Sequence, residues 1–191
     1  MTLAHPRRLV YLGTPAMAVP PLEALVAAGH DVALVVTSLD RKRGRGGALS
    51  PTPVKAAAQA LGLPVSHDID DVTSVGADLG VVVAFGRLIR PHVLAAVPMV
   101  NLHFSLLPRW RGAAPVERAL LAGDTETGVC LMQLDEGLDT GPVYSTVRVP
   151  IGDRTTADEL RAELVRLGTQ QLVEALAVPL GEPVPQSGTA V

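Results

Sequence analysis

RLVYLGTP at residues 8–15, VPPLEALVAAG at 19–29 and VALVVT at 32–37 decide the fold. Residues 8–12 form an apolar run that reads as a first strand, and Gly13-Thr14-Pro15 reads as its tight exit. Residues 20–28 read as a helix, with prolines tolerated in its first turn and Gly29 just past its end. Residues 32–37 are continuously apolar and rich in β-branched side chains, which suits a strand buried on both faces. That is a βαβ start, and the alternation continues. A helix is expected over 52–61, a short strand over 64–66, an apolar strand over 79–84 and a further strand over 99–103. Residues 128–134 and 143–149 read as two strands joined through the loop 135–142, and 156–176 as a helix begun by a threonine cap. The expected fold is α/β, an open and mostly parallel sheet with helices on both faces. One domain over 1–178 is followed by an irregular tail over 179–191, rich in Pro, Gly and Ser.

The chain has 191 residues, 48% hydrophobic and 18% charged, enough for one substantial core. Its apolar stretches are broken by Gly, Pro or charge well short of the roughly 20 residues that a membrane span needs. The run after Pro6-Arg7-Arg8 is too brief for a signal peptide and no small-residue cleavage site follows it. Cys130 is the single cysteine, which excludes an internal disulfide and a thiolate metal cluster and fits a reducing, cytoplasmic compartment. The five histidines, at 5, 30, 67, 92 and 103, lack metal-ligand spacing, so catalysis without a metal is expected. A net charge of −3 offers no global attraction to nucleic acid, so any such binding must use a local patch.

In open α/β sheets ligands bind beyond the carboxyl ends of the strands. Three loops converge there: Gly13-Thr14-Pro15, Phe85-Gly86-Arg87, and the segment after Asn101 and His103. Strand residues i and i+2 share a face, so Asn101 and His103 project together into one cleft. An asparagine amide and a protonated imidazole donate to the same oxyanion, and each such donor is typically worth about 100- to 1000-fold in rate. Asp139, between Gly137 and Gly141, is expected to fold back and orient His103. Taken singly, each of these also reads as an ordinary structural polar group, and Asp139 as a turn-stabilising Asx residue. Gly13-Thr14-Pro15 is not a dinucleotide fingerprint, and Ser105 lies in no nucleophile elbow, so direct attack by a substrate amine on a bound acyl donor is the simplest scheme.

NLHFSLLPRWRGAAP at 101–115, GDTETG at 123–128 and MQLDEGLDTG at 132–141, with LGTP at 12–15 and VAFG at 83–86, closely resemble the catalytic domain of the methionyl-tRNA formyltransferase family. The resemblance implies formyl transfer from 10-formyltetrahydrofolate to an amine, with Asn101, His103 and Asp139 as the catalytic three. It places the folate's pterin against Phe85, Gly86, Arg87 and Leu88 and against Asp135, Glu136 and Gly137. It also identifies 40–55 as a basic, Gly-rich loop meeting the acceptor arm of initiator methionyl-tRNA through Arg41, Lys42, Arg43 and Arg45. Four of the sixteen basic residues fall within 41–45, which suits phosphate contacts that weaken with salt. The family's second, β-barrel tRNA-binding domain is absent from 1–191, and 66–80 is short, leaving little room for a helix before the strand at 79–84. Two other readings stand beside this one. One is a formyltransferase acting on a small amine, such as an amino sugar nucleotide or glycinamide ribonucleotide; the other is a non-catalytic folate- or RNA-binding remnant.

Overall fold

The computed structural model describes residues 7–43 and 48–191. Its main sheet is built from seven strands: β1 (Arg8–Gly13), β2 (Asp31–Val36), β5 (Val65–Ser66), β6 (Leu79–Val83), β7 (Met99–His103), β8 (Glu126–Gln133) and β9 (Val143–Pro150). They lie in the order β5-β2-β1-β6-β7-β8-β9. The pairings from β5 through β7 are parallel, and β8 and β9 then run antiparallel, as two strands joined by a short loop must. The mostly parallel sheet is therefore the one expected. The helices are α1 (Val19–Ala27), α2 (Pro53–Ala60), α3 (Pro91–Ala96), α4 (Pro115–Leu121) and α5 (Ala157–Leu176).

The two faces of the sheet are covered unequally. On one face α1, α2, α4 and α5 pack over Leu9, Tyr11, Val81, Val100, Leu102, Val129 and Leu131, forming the larger core. Tyr11, fully buried there, has its hydroxyl pushed upward in pKa by desolvation and donates it to the Ala18 carbonyl at 2.5 Å. The other face carries Val10, Leu12, Val82 and Met99 under α3 and a 3-10 turn at Asp70–Ser74. That turn occupies the short 66–80 segment, which accommodates no α-helix.

Several boundaries follow from local chemistry. Thr52 caps α2, its Oγ1 accepting from Lys55 N at 3.1 Å. Thr156 and Glu159 form a reciprocal capping box at the start of α5. The expected loop at 40–55 is in part an antiparallel ribbon, β3 (Arg41–Arg43) against β4 (Ala48–Ser50). Its base is held by an ion pair between Lys55 and Asp40 at 2.7 Å and by a Thr37–Thr52 hydroxyl contact at 2.8 Å. No helix among the described residues is long and apolar enough to cross a membrane.

Candidate active site

The thin face of the sheet leaves a hollow at the carboxyl ends of β6 and β7. Met99, Asn101 and His103 alternate onto this face, while Val100 and Leu102 turn into the larger core. A cavity of about 570 Å³ lies over Asn101 and His103, lined also by Val82, Ala84, Phe85, Leu88, Leu138 and Asp139. Both polar side chains are buried, at 8% and 5% exposure, so each must be satisfied by protein groups or by a ligand.

Asp139 reaches this cavity from the β8–β9 loop. Leu134 N donates to Met99 O at 2.9 Å, and the Asp135 carboxylate accepts from Gly137 N at 3.1 Å and Thr140 Oγ1 at 2.7 Å. These bonds fold the loop back over β7. Asp139 Oδ2 then accepts from Gly112 N at 2.8 Å and stands 3.4 Å from His103 Nδ1, while Oδ1 lies 3.5 Å from Asn101 Nδ2. The carboxylate thus touches both other polar groups.

The expected orienting role is divided between two groups. His103 Nε2 donates to the Trp110 backbone carbonyl at 2.9 Å, and this bond fixes the ring; Asp139 stands farther off, at ion-pair distance from the opposite nitrogen. Trp110 is itself held tightly. Its indole N–H donates to Asp124 at 2.7 Å, and the Arg109 and Arg118 guanidinium carbons lie 4.6 and 4.8 Å from its ring centroid. The paired hydrogen bonds from Arg109 hold the Asp124 carboxyl below its ordinary pKa, with the Trp110 N–H adding to the effect.

Backbone strain marks the same place. Four non-glycine residues among those described have positive φ: Ala84 at 47°, Trp110 at 60°, Ala114 at 54° and Asp139 at 50°. Three of them line the cavity and the fourth supplies the carbonyl that holds His103. Each such residue typically costs about 1–3 kcal/mol, and such strain clusters where a site needs it.

Of the residues expected against a donor, Phe85, Gly86, Arg87, Leu88, Asp135 and Gly137 line the cavity, whereas Glu136 does not. Leu88 and Leu138, 76% and 67% exposed, are the exposed large apolar side chains of its lining. Arg41, Lys42 and Arg43 form β3, whose backbone pairs with β4; Arg45 falls outside the described residues. Among the described residues, no three of His, Cys, Asp and Glu are grouped as one metal ion would require. The residues that sequence reasoning missed are Trp110 and Gly112, which act through backbone groups, and Gln186, whose amide donates to the carbonyls of Asp139 and Gly141.

A family model described as formyl transferase matches residues 7–176. A methionyl-tRNA formyltransferase of Cutibacterium acnes is 52% identical over 94% of the chain and 61% of its own length. A methionyl-tRNA formyltransferase of Dinoroseobacter shibae is 50% identical over 95% of the chain and 65% of its own length. The chain therefore spans a little over three-fifths of these relatives. Among solved structures, an N-formyltransferase from Helicobacter canadensis in complex with folinic acid and dTDP-3-aminofucose superposes with a TM-score of 0.77 at 21% identity, covering 94% of the chain and 67% of that one. At that identity the likeness is one of fold.

Proposed function

The chain belongs to the formyl transferase family, and we propose that it moves a formyl group from 10-formyltetrahydrofolate to the amine of methionyl-tRNA. The observation that carries this reading is the convergence of Asn101, His103 and Asp139 on one cavity whose walls are otherwise largely apolar. The relatives at about half identity are methionyl-tRNA formyltransferases, which supports tRNA as the acceptor. The cavity, about 570 Å³, falls within the usual range for sites that bury a small cofactor. Its slot between residues 84–88 and 135–139, with Phe85 on the wall and Leu88 and Leu138 at the mouth, suits a flat heteroaromatic ring edged by backbone groups.

The bound folate supplies an activated formyl group, and the protein's residues organise its transfer. Asn101 presents an amide N–H and His103 the Nδ1 edge of its ring, Nε2 being engaged by the Trp110 carbonyl, toward the same point, where negative charge develops on the formyl oxygen. The burial of both strengthens these bonds by excluding water. Asp139, next to His103 Nδ1, is placed to stabilise positive charge on the ring and, through a water, to pass the proton of the amine that bonds to the formyl carbon to the folate nitrogen whose bond to that carbon breaks. Its bond from Gly112 N keeps the carboxylate directed at the cavity. The acceptor's phosphates are assigned to the basic segment of Arg41, Lys42, Arg43 and Arg45, and initiator methionyl-tRNA is the partner this implies.

The test is formyl transfer from 10-formyltetrahydrofolate to methionyl-tRNA at low salt. His103→Ala should lower the rate by about 100-fold or more. Replacing the basic residues of 41–45 should raise KM for tRNA and reduce the salt dependence of binding. Transfer to glycinamide ribonucleotide or an amino sugar nucleotide, with none to tRNA, would overturn the acceptor assignment. A folded parent chain that binds the folate and transfers to none of these would overturn the enzymatic reading.

A further inference from the structure

Gln186 lies 47 residues after Asp139 in sequence, yet its side chain closes on the loop that carries that carboxylate. Its Nε2 donates to Asp139 O and to Gly141 O, both at 2.8 Å. Its Oε1 accepts from Arg111 Nε at 3.1 Å and from Arg111 Nη2 at 2.7 Å. Both amide hydrogens and both carbonyl lone pairs are therefore used, the full capacity of the group. The tail is held in register just before it by an antiparallel bridge between Val184 and Val143, with both N–H···O bonds at 2.8 Å.

The bonds form a closed circuit. Gln186 ties the backbone on either side of the Asp139–Gly141 turn to Arg111, and the next residue, Gly112, donates its N–H to Asp139 Oδ2. Arg118 donates to Arg111 O at 2.7 Å and stacks on Trp110, whose carbonyl fixes His103. Asp139 has φ of 50°, a conformation that an aspartate leaves readily unless it is held. Fixing the carbonyl of that residue fixes the peptide plane after it, and with it the direction of the carboxylate.

We propose that Gln186 is a positioning residue for the formyl transfer. By donating to two carbonyls of the 135–142 loop it holds the Asp139 carboxylate against His103 and Asn101. This rests on the reading of the cavity as a formyl-transfer site. Gln186 touches no reacting atom and acts only through Asp139. A glutamate at 186 keeps the acceptor for Arg111 but donates to neither carbonyl, so it should behave like alanine.

The experiment measures formyl transfer by the 191-residue chain carrying Gln186→Ala or Gln186→Glu, each alone and combined with Asp139→Asn, with Ser187→Ala as control. Amide hydrogen exchange over 138–142 is followed in the same proteins. Both Gln186 variants should lose about 10- to 100-fold in kcat, with KM for the folate changed by less than about threefold, since displacement by an ångström commonly costs that much in rate. In the Asp139→Asn background the Gln186→Ala loss should shrink to less than about twofold, because the two residues act as one unit. Exchange over 138–142 should accelerate while that of α5 stays unchanged. A kcat within about twofold of the parent in both Gln186 variants would overturn the proposal, as would a loss undiminished in the Asp139→Asn background. Should the parent transfer no formyl group at all, the formyl-transfer reading falls, and unchanged exchange over 138–142 in Gln186→Ala would overturn the clamp separately.

Discussion

Gly141→Ala should disable the site without unfolding the protein. A Cβ at Gly141 would fall 1.9 Å from the Gln133 carbonyl oxygen and 3.0 Å from its carbon. Ordinary non-bonded contacts lie near 3.5 Å, so relief requires a shift of roughly 1.5 Å. Gln133 has little freedom to supply it, because it ends β8, paired to Val100, and its N–H already donates to Pro142 O at 2.9 Å. The 135–142 loop must therefore move. That movement breaks the Gln186 bond to Gly141 O and carries Asp139 away from His103, from which it now stands 3.4 Å. Misplacement on the ångström scale costs about 100-fold in rate, whereas overpacking typically costs about 1–3 kcal/mol in stability. Gly141 has no positive φ to strain an alanine, so the effect would be steric alone. The assay is kcat for formyl transfer beside thermal unfolding, with Gly152→Ala as control, since a Cβ there meets nothing nearer than Thr155 Oγ1 at 3.4 Å. A Gly141→Ala protein retaining a third or more of the parent kcat would refute the claim that this close approach sets the position of Asp139.

Two further outcomes concern stability. Thr156→Ala removes the acceptor for Glu159 N and unbuilds the capping box of α5, and should cost about 1 kcal/mol, read as a lower Tm; an unchanged Tm would show that the cap is idle. His30 is buried, accepts from Arg7 N through Nδ1 at 3.2 Å and leaves Nε2 without a partner among the described residues; desolvation, with Arg7 nearby, lowers its pKa. As pH falls below about 6.5 the unfolded chain takes up this proton before the folded one does, so stability should decline from there down to the depressed folded value. His30→Gln should flatten that part of the profile of urea midpoint against pH, and equal slopes in parent and variant would exclude His30 as its source.

Strands β1, β2 and β6 were legible because each is an apolar run between turn residues, the usual signature of a buried parallel strand. Helices α3 and α4 were not. They span six and seven residues, too short for a helical period to show, and only Pro91 and Pro115 at their starts mark them. The pairing of Asn101 with His103 follows from the two-residue period of a strand. The approach of Asp139 was an inference from the flanking glycines, and the close contact at Gly141 is the physical reason that only glycine serves there.

What stayed hidden has a common cause. The ring of His103 is oriented by the carbonyl of Trp110, and Asp139 by the N–H of Gly112 and by an amide from the tail. Every residue has a carbonyl and all but proline an N–H, so no residue type betrays which of them is used. Gln186 sits in a Pro-, Gly- and Ser-rich stretch with no period to give it a face. The polar side chains that converge on the cavity thus announce themselves through spacing, while the backbone groups and the tail that hold them emerge only once the chain is folded. The left-handed backbone at Trp110 and Asp139 shows why this aiming is needed: two conformations that L-residues disfavour persist only where surrounding bonds over-determine them. The Asp124 hydrogen bond and the two guanidinium contacts supply that hold for Trp110, and the Gln186 amide supplies it for Asp139.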